Sequence, residues 1–359
     1  MQAAKAIEAG ILRCPKNRER YQIDICPISD GGDGFVQTLS DLMAHERRIC
    51  TTNNPIMQPI SAEYLLVDNG KTAIIEVAAA SGLVLLSKEQ RNPLYTSTYG
   101  SGELIFDACN RGVETIILGL GGTATNDLGL GILNALGINF YDSENNLLLT
   151  GEGLGKIHKH TVNDTAKTIV EKCKFICACD VQNPLLGEMG AATMYSPQKG
   201  ANETEVELLE KNSKLFLNYL KMQNINVLPE TPGYGAAGGI AAGMSAFFDI
   251  ELVSGFEIIA QKTNLYHKVN QANIVITGEG RIDLQSDMGK APYRVAQIAR
   301  KMSKNVIGFC GSLEGKKSEV FHEVYSINTN QYEVEYCMKN AEKLLQECAY
   351  SVFNQQDEY

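Results

Sequence analysis

The clearest pattern of apolar and polar positions lies near the carboxyl end of the chain. An apolar run rich in β-branched residues, 274–277, leads into Gly278-Glu279-Gly280-Arg281-Ile282-Asp283. Apolar residues at helical spacing follow over 292–302, and a second apolar run covers 306–310. This order predicts a strand, a glycine turn, a helix and a parallel strand, with the charged residues at the carboxyl edge of the sheet.

Other runs predict the remaining elements. Residues 1–12 have the spacing of an amphipathic helix, and 21–28 reads as a strand ending in Asp30-Gly31-Gly32-Asp33-Gly34. The runs 60–67 and 71–78 flank Asp68-Asn69-Gly70, a strong hairpin signal. Further predicted elements are a helix over 39–44, a polar connection over 51–59, a helix over 101–111, strands over 115–119 and 175–179, a long helix over 203–222, a weak strand over 324–327 and a terminal helix over 333–350.

This alternation of strands and helices predicts an α/β fold with two domains. Adjacent antiparallel strands do not belong in a simple doubly wound sheet, so the hairpin indicates a second domain. We predict a parallel-sheet α/β domain formed by both chain ends, residues 1–52 and 262–359, and an inserted α/β domain with a mixed sheet, residues 53–261. The first helix has no capping residue before it, so we expect the strand that should precede it to be missing.

Composition narrows the classes of function. The chain has 359 residues, 44% of them hydrophobic, and a net charge of −10 without a basic run, which argues against partners such as nucleic acid or a membrane surface. No apolar run reaches the roughly 18 residues of a membrane helix. The ten cysteines lack paired spacing, which is typical of a reduced, cytoplasmic protein.

Glycines and acids follow several predicted strands, and each such segment has more than one interpretation. Asp30 and Asp33 could be offered to a metal or a hydroxyl group, or they could simply form a polar turn. The segment 119–127 could cradle an anion with backbone amides and the Thr123 and Thr125 hydroxyls, which we favour. It could also be a packing turn, or, with Asp142 downstream, a weak dinucleotide-binding fingerprint.

Three further segments remain open in the same way. Asp180 could be a base or a metal ligand, or it could cap a turn. The glycines of 235–239 could serve close packing or anion binding equally well. In the segment 278–290 the glycines allow close approach to an anion, and Arg281 and Lys290 add positive charge. Glu279 and Asp283 of this segment could hold Mg²⁺. Such a set of residues suits phosphoryl transfer.

Six motifs resemble those of the bacterial glycerate kinase family (type I). They are SDGGDG, GLGGTATND, CDVQNPLLG, PQKGA, PGYGAAGG and VITGEGRIDLQS, and they extend the resemblance from residue 1 to about residue 313. The resemblance implies a flavodoxin-like domain with a second α/β domain inserted, and an active site in the cleft. It also implies ATP-dependent phosphorylation of D-glycerate, usually at the 2-hydroxyl, with Mg²⁺.

The resemblance and the chemistry of the residues together suggest roles. Arg281 would clamp the glycerate carboxylate or the transferring phosphoryl group. Asp180 or Asp283 would accept the hydroxyl proton or hold Mg²⁺, and Lys199 and Lys290 would neutralise phosphoryl charge. The residues expected to bind substrate or phosphate are Asp30, Gly31, Gly32, Gly121, Gly122, Thr123, Thr125, Asn126, Asp127, Lys199, Gly278, Glu279, Gly280 and Lys290.

One departure from the family pattern keeps alternatives open. The family usually begins with a strand and an Asp-Ser-x-Lys-Gly-Ser type loop, and neither precedes the first helix here. An inactive or truncated relative is therefore a second hypothesis, and a nucleotide-dependent oxidoreductase a third. The sequence does not decide between the 2- and the 3-hydroxyl as acceptor, and a homodimer is one oligomeric state it leaves open.

Overall fold

The structure is a computed structural model that describes residues 2–29, 31–32, 34–283, 291–314, 319–328 and 332–355. It divides into two compact units, Met1–Ile28 with Ile259–Tyr359, and Ser29–Ile258. The α-helices are α1 Gln2–Ile11, α2 Pro15–Arg20, α3 Phe35–Leu42, α4 Ala78–Ser81, α5 Tyr99–Asn110, α6 Leu130–Ala135, α7 Asp164–Lys172, α8 Ala191–Tyr195, α9 Glu203–Met222, α10 Ile240–Met244, α11 Gly255–Lys262, α12 Leu265–Gln271, α13 Ala291–Lys301, α14 Val334–Lys339 and α15 Ala341–Gln355. The strands are β1 Glu46–Asn53, β2 Pro59–Val67, β3 Thr72–Glu76, β4 Thr115–Gly119, β5 Ile138–Tyr141, β6 Lys159–Val162, β7 Lys174–Ala178, β8 Ile250–Val253, β9 Ile274–Asp283, β10 Asn305–Glu314 and β11 Glu323–Ser326.

The middle unit contains a mixed sheet of strand order β1-β2-β3-β4-β7-β8. β1, β2 and β3 are antiparallel neighbours, and β3, β4, β7 and β8 run parallel. The predicted hairpin is confirmed, since Asp68 and Asn69 adopt the positive φ angles that a tight turn between β2 and β3 requires. A large apolar core, with Tyr64 and Phe175 fully buried, covers this sheet.

The sequence did not reveal β1, and the predicted polar connection over 51–59 begins inside it. β1 is an edge strand with the sequence ERRICTTN and is mostly exposed, so it lacks the alternation of apolar residues that marks a half-buried strand. Because β1 pairs with β2 along its whole length, residues 29–52 fold with the middle of the chain. The first boundary of the units therefore falls after Ile28, whereas the predicted domain boundary was residue 52.

The unit formed by the chain ends contains a parallel sheet of order β11-β10-β9. The βαβ unit β9–α13–β10 confirms the prediction made from the apolar runs. Ile307 and Phe309 of β10 pack with Phe353 of α15. The α/β class, with a mixed sheet and a separate parallel sheet, is thus confirmed.

Two details of this unit differ from the prediction. Gly278 and Gly280 lie inside β9 and not in a turn, because β9 stays in register with β10 as far as the pair Asp283 and Glu314. The predicted strand over 21–28 is also wrong, since these residues form no ladder. A β-strand is defined by a hydrogen-bonded neighbour, and an alternating sequence alone does not supply one.

Candidate active site

Four parallel strands of the middle unit end at one edge of the sheet. Glu76 pairs with Gly119, Gly119 with Ala178, and Ala178 with Val253, so the last residues of β3, β4, β7 and β8 stand side by side. The loops that follow these strands must therefore meet at the same place. This is the edge at which parallel α/β sheets present their functional groups.

The glycines of the SDGGDG motif lie against this edge. A Cβ atom added to Gly121 would stand 2.3 Å from Cα of Gly32, and one added to Gly31 would stand 3.3 Å from the carbonyl oxygen of Ala178. Gly31 also has a φ angle of +78°, which few other residues adopt. The backbone of 31–32 can approach the strand ends this closely only because both sides are glycine.

Two acids at this edge accept hydrogen bonds from helix N-termini. The Val36 N–H of α3 donates to Oε1 of Glu76 at 3.0 Å, and the Phe256 N–H of α11 donates to Oδ2 of Asp180 at 3.0 Å. The hydroxyl of Ser254 donates a short hydrogen bond to Oδ1 of Asp180. A carboxylate at a helix N-terminus satisfies unpaired N–H groups and the positive end of the helix dipole. Both interpretations of Asp180, cap and functional group, therefore remain compatible with its position.

Glu76 and Ser254 are members of this site that our sequence reasoning missed. Glu76 is the last residue of β3 and Asp180 lies two residues after β7, so an acid close to the end of a buried strand was the available signal. Ser254 carried no comparable signal, because a single serine after a short strand is common.

Asp127 is a buried anchor for the helix α6. Its Oδ2 accepts hydrogen bonds from the N–H and the hydroxyl of Thr98, each at 2.8 Å, and from the Gly131 N–H at 3.2 Å. Its Oδ1 accepts from the Gly129 N–H at 3.1 Å. Burial raises the pKa of the Asp127 carboxyl, and these hydrogen bonds oppose that rise.

Lys199 is buried beneath the loop that follows β4. Its side chain is 3% exposed, and its Nζ donates to the carbonyl oxygen of Thr125 at 2.7 Å and to Oγ1 of Thr123 at 3.1 Å. Burial lowers the pKa of the Lys199 ammonium to about 7, and the nearby Asp127 carboxylate opposes this effect only in part. In this arrangement Lys199 supports the loop, whereas the sequence suggested that it neutralises a phosphoryl group.

Exposure separates the predicted residues of this unit into two sets. Gly32, Gly121, Gly122 and Asp180 are partly or fully accessible, whereas Gly31 and the loop 123–127 are buried. Asn126 donates to the hydroxyl of Ser196 at 2.7 Å. Oγ1 of Thr125 and Oδ1 of Asn126 are buried and have no hydrogen-bond partner among the described residues. The accessible residues could contact a ligand directly, while the buried residues hold the accessible residues in place.

The glycines of 235–239 take part in the same packing. A Cβ atom at Gly238 would stand 2.2 Å from the carbonyl oxygen of Thr125, so close packing accounts for this glycine. Asp142, the acid of the possible dinucleotide fingerprint, lies in a turn and accepts hydrogen bonds from Glu144 and Asn146. The helix after β4 begins only at Leu130, whereas the dinucleotide fingerprint requires a helix directly after the glycines.

The unit formed by the chain ends contributes a second group of predicted residues, on β9. Glu279 and Arg281 are two positions apart and so project from the same face of the strand. Arg281 is exposed and Glu279 is half-buried. A Cβ atom at Gly278 would stand 2.0 Å from the carbonyl oxygen of Phe309, and one at Gly311 would stand 2.4 Å from the carbonyl oxygen of Gly280, so Gly278 and Gly311 let β9 and β10 approach closely. A Cβ atom at Gly280 would meet open space.

Some predicted residues lie outside the described part of the chain. They are Asp30, Asp33, Lys290 and the side chain of Asp283, which is the last residue of β9. Within the part that is described, no group of three or more His, Cys, Asp or Glu side chains could surround a metal ion. No helix there is long and apolar enough to cross a membrane.

The fold and the site define an α/β protein whose glycine loops and acids collect at the carboxyl ends of the parallel strands of a mixed sheet. A family model for the glycerate kinase family matches residues 1–356. The chain belongs to the glycerate kinase family, and it is an enzyme of the kinase class.

Individual relatives agree with this assignment. Glycerate kinase of Halalkalibacterium halodurans is 40% identical over 358 residues, which is 98% of this chain and 93% of the relative. Glycerate 2-kinase of Escherichia coli K12 is 39% identical over 316 residues, 87% of this chain and 81% of the relative. A crystal structure described as glycerate kinase 2 of Salmonella typhimurium LT2 matches with a TM-score of 0.79 and 35% identity, over 99% of this chain and 94% of the other.

Proposed function

We propose that the protein transfers the γ-phosphoryl group of ATP to D-glycerate and forms 2-phosphoglycerate. Kinases use a nucleotide as phosphoryl donor, and the similarity to a glycerate 2-kinase favours the 2-hydroxyl over the 3-hydroxyl as acceptor. A non-catalytic relative is the alternative, and turnover distinguishes the two.

The observation that carries the proposal is the glycine contact at the carboxyl edge of the mixed sheet. Gly121 and Gly122 are accessible and have no side chains to keep a ligand from the backbone, so their N–H groups are suitable donors to phosphate oxygens. Phosphoryl transfer needs positioning and charge stabilisation more than covalent chemistry from the protein. A site made largely of main chain and fixed acids meets that need.

Asp180 is the candidate for the group that accepts the substrate hydroxyl proton. Its hydrogen bonds from Ser254 and Phe256 fix the carboxylate at the end of β7, next to the glycine contact in the sheet. A fixed carboxylate within reach of a hydroxyl can act as a general base. Glu76 stands at the end of β3, two strands away, and is the second acid of this edge.

Arg281 is the candidate for recognition of the glycerate carboxylate or of the transferring phosphoryl group. Its planar guanidinium offers paired donors that match two oxygens of either group. Glu279 on the same face of β9 could orient the guanidinium. Gly278 serves strand packing as described above, and a role of Gly278 and Gly280 as phosphate-binding amides remains part of the proposal.

Mg²⁺ is the expected companion of ATP. Mg²⁺ in kinases is held by one or two carboxylates together with phosphate oxygens and water, so a cluster of three protein ligands is not required. Asp283 is the candidate ligand from the sequence, and Asp180 is the alternative ligand in place of its role as the base. The ion would neutralise charge on the phosphate oxygens when bound.

Incubation of the purified chain with ATP, Mg²⁺ and D-glycerate tests the proposal. We expect ADP and a phosphoglycerate whose phosphorus NMR signal identifies the 2-isomer, and no product when Mg²⁺ is chelated. A 3-phosphoglycerate signal would contradict the choice of hydroxyl. Folded protein without any turnover would contradict the proposed activity and favour the non-catalytic relative.

Arg281→Ala tests the role given to β9. We expect kcat/KM for glycerate to fall by at least about 100-fold, because a charge-assisted bidentate contact is worth roughly 3 kcal/mol. Arg300→Ala on the exposed face of α13 is the matched control and should retain activity. Full activity in Arg281→Ala would remove Arg281 from the site.

A further inference from the structure

Two cysteines of the middle unit, Cys109 and Cys173, have their sulfur atoms 3.6 Å apart. Cys109 lies in the last turn of α5, and Cys173 follows α7 and directly precedes β7. Among the described residues, no other two cysteine sulfurs are hydrogen-bonded to each other. The two positions are 64 residues apart in sequence, so the fold creates a thiol pair where the spacing of the cysteines does not indicate one.

The surroundings of this pair differ from those of a cysteine that only fills the core. Cys177 on β7 is fully buried, and burial raises the pKa of its thiol to about 12, so it behaves as a small apolar side chain. Cys109, in contrast, is partly exposed, and Cys173 is 8% exposed beside it. A small solute can therefore reach this pair of sulfurs.

The contact between the two sulfurs favours ionisation of Cys173. While it is protonated, its thiol donates to the carbonyl oxygen of Val113 at 3.3 Å. When Cys173 loses its proton, Cys109 donates to the resulting thiolate, which lowers the pKa of the Cys173 thiol and raises the pKa of the Cys109 thiol. Because the thiolate is the nucleophilic form of cysteine, Cys173 is the sulfur that reacts first.

Only a short movement separates the pair from a covalent bond. A disulfide bond is about 2.05 Å long, so the sulfurs must approach each other by about 1.5 Å. A change in the side-chain torsion of Cys109 can supply this movement, because its side chain is partly exposed and is not confined on all sides. The backbones of α5 and β7 can then stay where they are.

We propose that Cys109 and Cys173 form a redox-modification site, which a peroxide converts reversibly into a disulfide. The Cys173 thiolate attacks one oxygen of hydrogen peroxide, the O–O bond breaks, and the leaving hydroxide takes up a proton to form water. The Cys109 sulfur then attacks the sulfur of the Cys173 sulfenic acid, which forms the S–S bond and releases a second water. Two thiols and one peroxide thus give one disulfide and two waters, and a dithiol reductant restores the thiols by exchange.

The disulfide would close a loop around the segment that carries the candidate phosphate loop. Residues 110–172 lie between the two cysteines and include β4, α6 and the loop 119–127. A covalent link between the ends of this segment restricts the unfolded chain more than the folded one. Cys173 precedes the first residue of β7, whereas Asp180 follows the last one, so the bond should stabilise the unit without touching the site.

Peptide mapping of the full chain after treatment with hydrogen peroxide tests the proposal. Trypsin cuts on both sides of each cysteine and releases peptides 92–111 and 173–174, neither of which contains another cysteine. After alkylation of the remaining thiols, we expect these two peptides to be joined at about 2 Da below their summed mass, and to separate with dithiothreitol. Free thiols at both positions, sulfinic acid at Cys173 without joined peptides, or a link from 173–174 to a different peptide would each overturn the proposal.

Thermal unfolding followed by circular dichroism tests the effect on stability. Peroxide-treated wild type should unfold about 5–10 °C higher before dithiothreitol is added than after it. Cys109→Ser should lack both the joined peptides and this difference, whereas the control Cys14→Ser, in the other unit, should show both. An unchanged Tm in the wild type that contains the bond would refute the stabilising effect, and the same difference in Cys109→Ser would refute the assignment to this pair.

Discussion

Replacement of Lys199 by methionine tests how burial determines the chemistry of the loop after β4. The change removes an ammonium group that is 3% exposed and keeps a side chain of similar length. It also removes the donor to the Thr125 carbonyl and to the Thr123 hydroxyl. Removal of the buried charge should raise the free energy of unfolding, and loss of the hydrogen bonds should lower it. Only the effect of the charge depends on pH, so a pH series distinguishes the two.

The charge contributes the larger effect near neutral pH. The pKa of Lys199 falls from 10.5 to about 7 on folding, and each unit corresponds to about 1.4 kcal/mol, so protonation costs the native state about 5 kcal/mol below pH 7. Between pH 7 and 10.5 the unfolded chain binds more protons than the native state. The stability contribution of this group therefore rises with pH across that window and is complete above 10.5.

The lost hydrogen bonds act against the variant at every pH. Two buried acceptors without a donor cost about 1–3 kcal/mol. We therefore expect Lys199→Met to be more stable than the wild type by about 2 kcal/mol at pH 6–7, and less stable at pH 10. The sign of the difference should reverse between these values.

Urea unfolding from pH 6 to 10, with reducing agent present, measures this difference. The chain contains no tryptophan, so far-ultraviolet circular dichroism is the appropriate signal. Lys211→Met, at an exposed position of α9, is the matched control and should follow the wild type. A difference between wild type and Lys199→Met that stays constant over this range would refute the reasoning.

Further substitutions test the glycine contact and the acids. Gly121→Ala should destabilise the protein by about 1–3 kcal/mol, because its Cβ would overlap Gly32. Gly280→Ala is the control, because its Cβ would meet open space, and it should change stability little. Equal effects of the two substitutions in thermal unfolding would contradict this expectation. Asp127→Asn should cost about 3 kcal/mol, since an amide turns a donor toward buried N–H groups, and Asp142→Asn in an exposed turn should cost under about 1 kcal/mol. Asp180→Asn should reduce kcat at least about 100-fold with the fold retained by circular dichroism, and near-normal kcat would exclude Asp180 as the base.

The sequence predicted elements well where burial imposes a pattern. The strand over 115–119 and the helix over 203–222 were predicted with the bounds that the structure has, because β4 is a buried run and α9 has a capping box and an amphipathic face. β1 was not predicted, because an exposed edge strand needs no alternation of apolar residues. Residues 21–28 were wrongly predicted to be a strand, because their apolar and polar residues alternate although no described strand pairs with them.

The sequence indicated where glycines and acids gather in the fold more than it indicated what each of them does. Glycines and acids after buried strands do converge on one edge, as the topology of parallel strands requires. Whether such an acid faces a ligand or caps a helix depends on burial and on the helix that follows, and neither is encoded in the local pattern. Asp127 and Lys199 show this clearly, because both types of residue suit phosphate chemistry and both are buried here.

These observations suggest why the buried polar groups are present at all. Asp127 and Lys199 lie close together under a loop whose outer glycines, Gly121 and Gly122, are the accessible part. An apolar core at this place would be easier to bury, but it could not hold the main-chain carbonyl of Thr125 and the N-terminus of α6 in fixed positions. If the loop is the phosphate-binding element, these two groups act by keeping its backbone amides in place, and their loss should raise KM for ATP more than it lowers kcat. The same variants, Asp127→Asn and Lys199→Met, therefore separate a supporting role from direct contact with the transferring group.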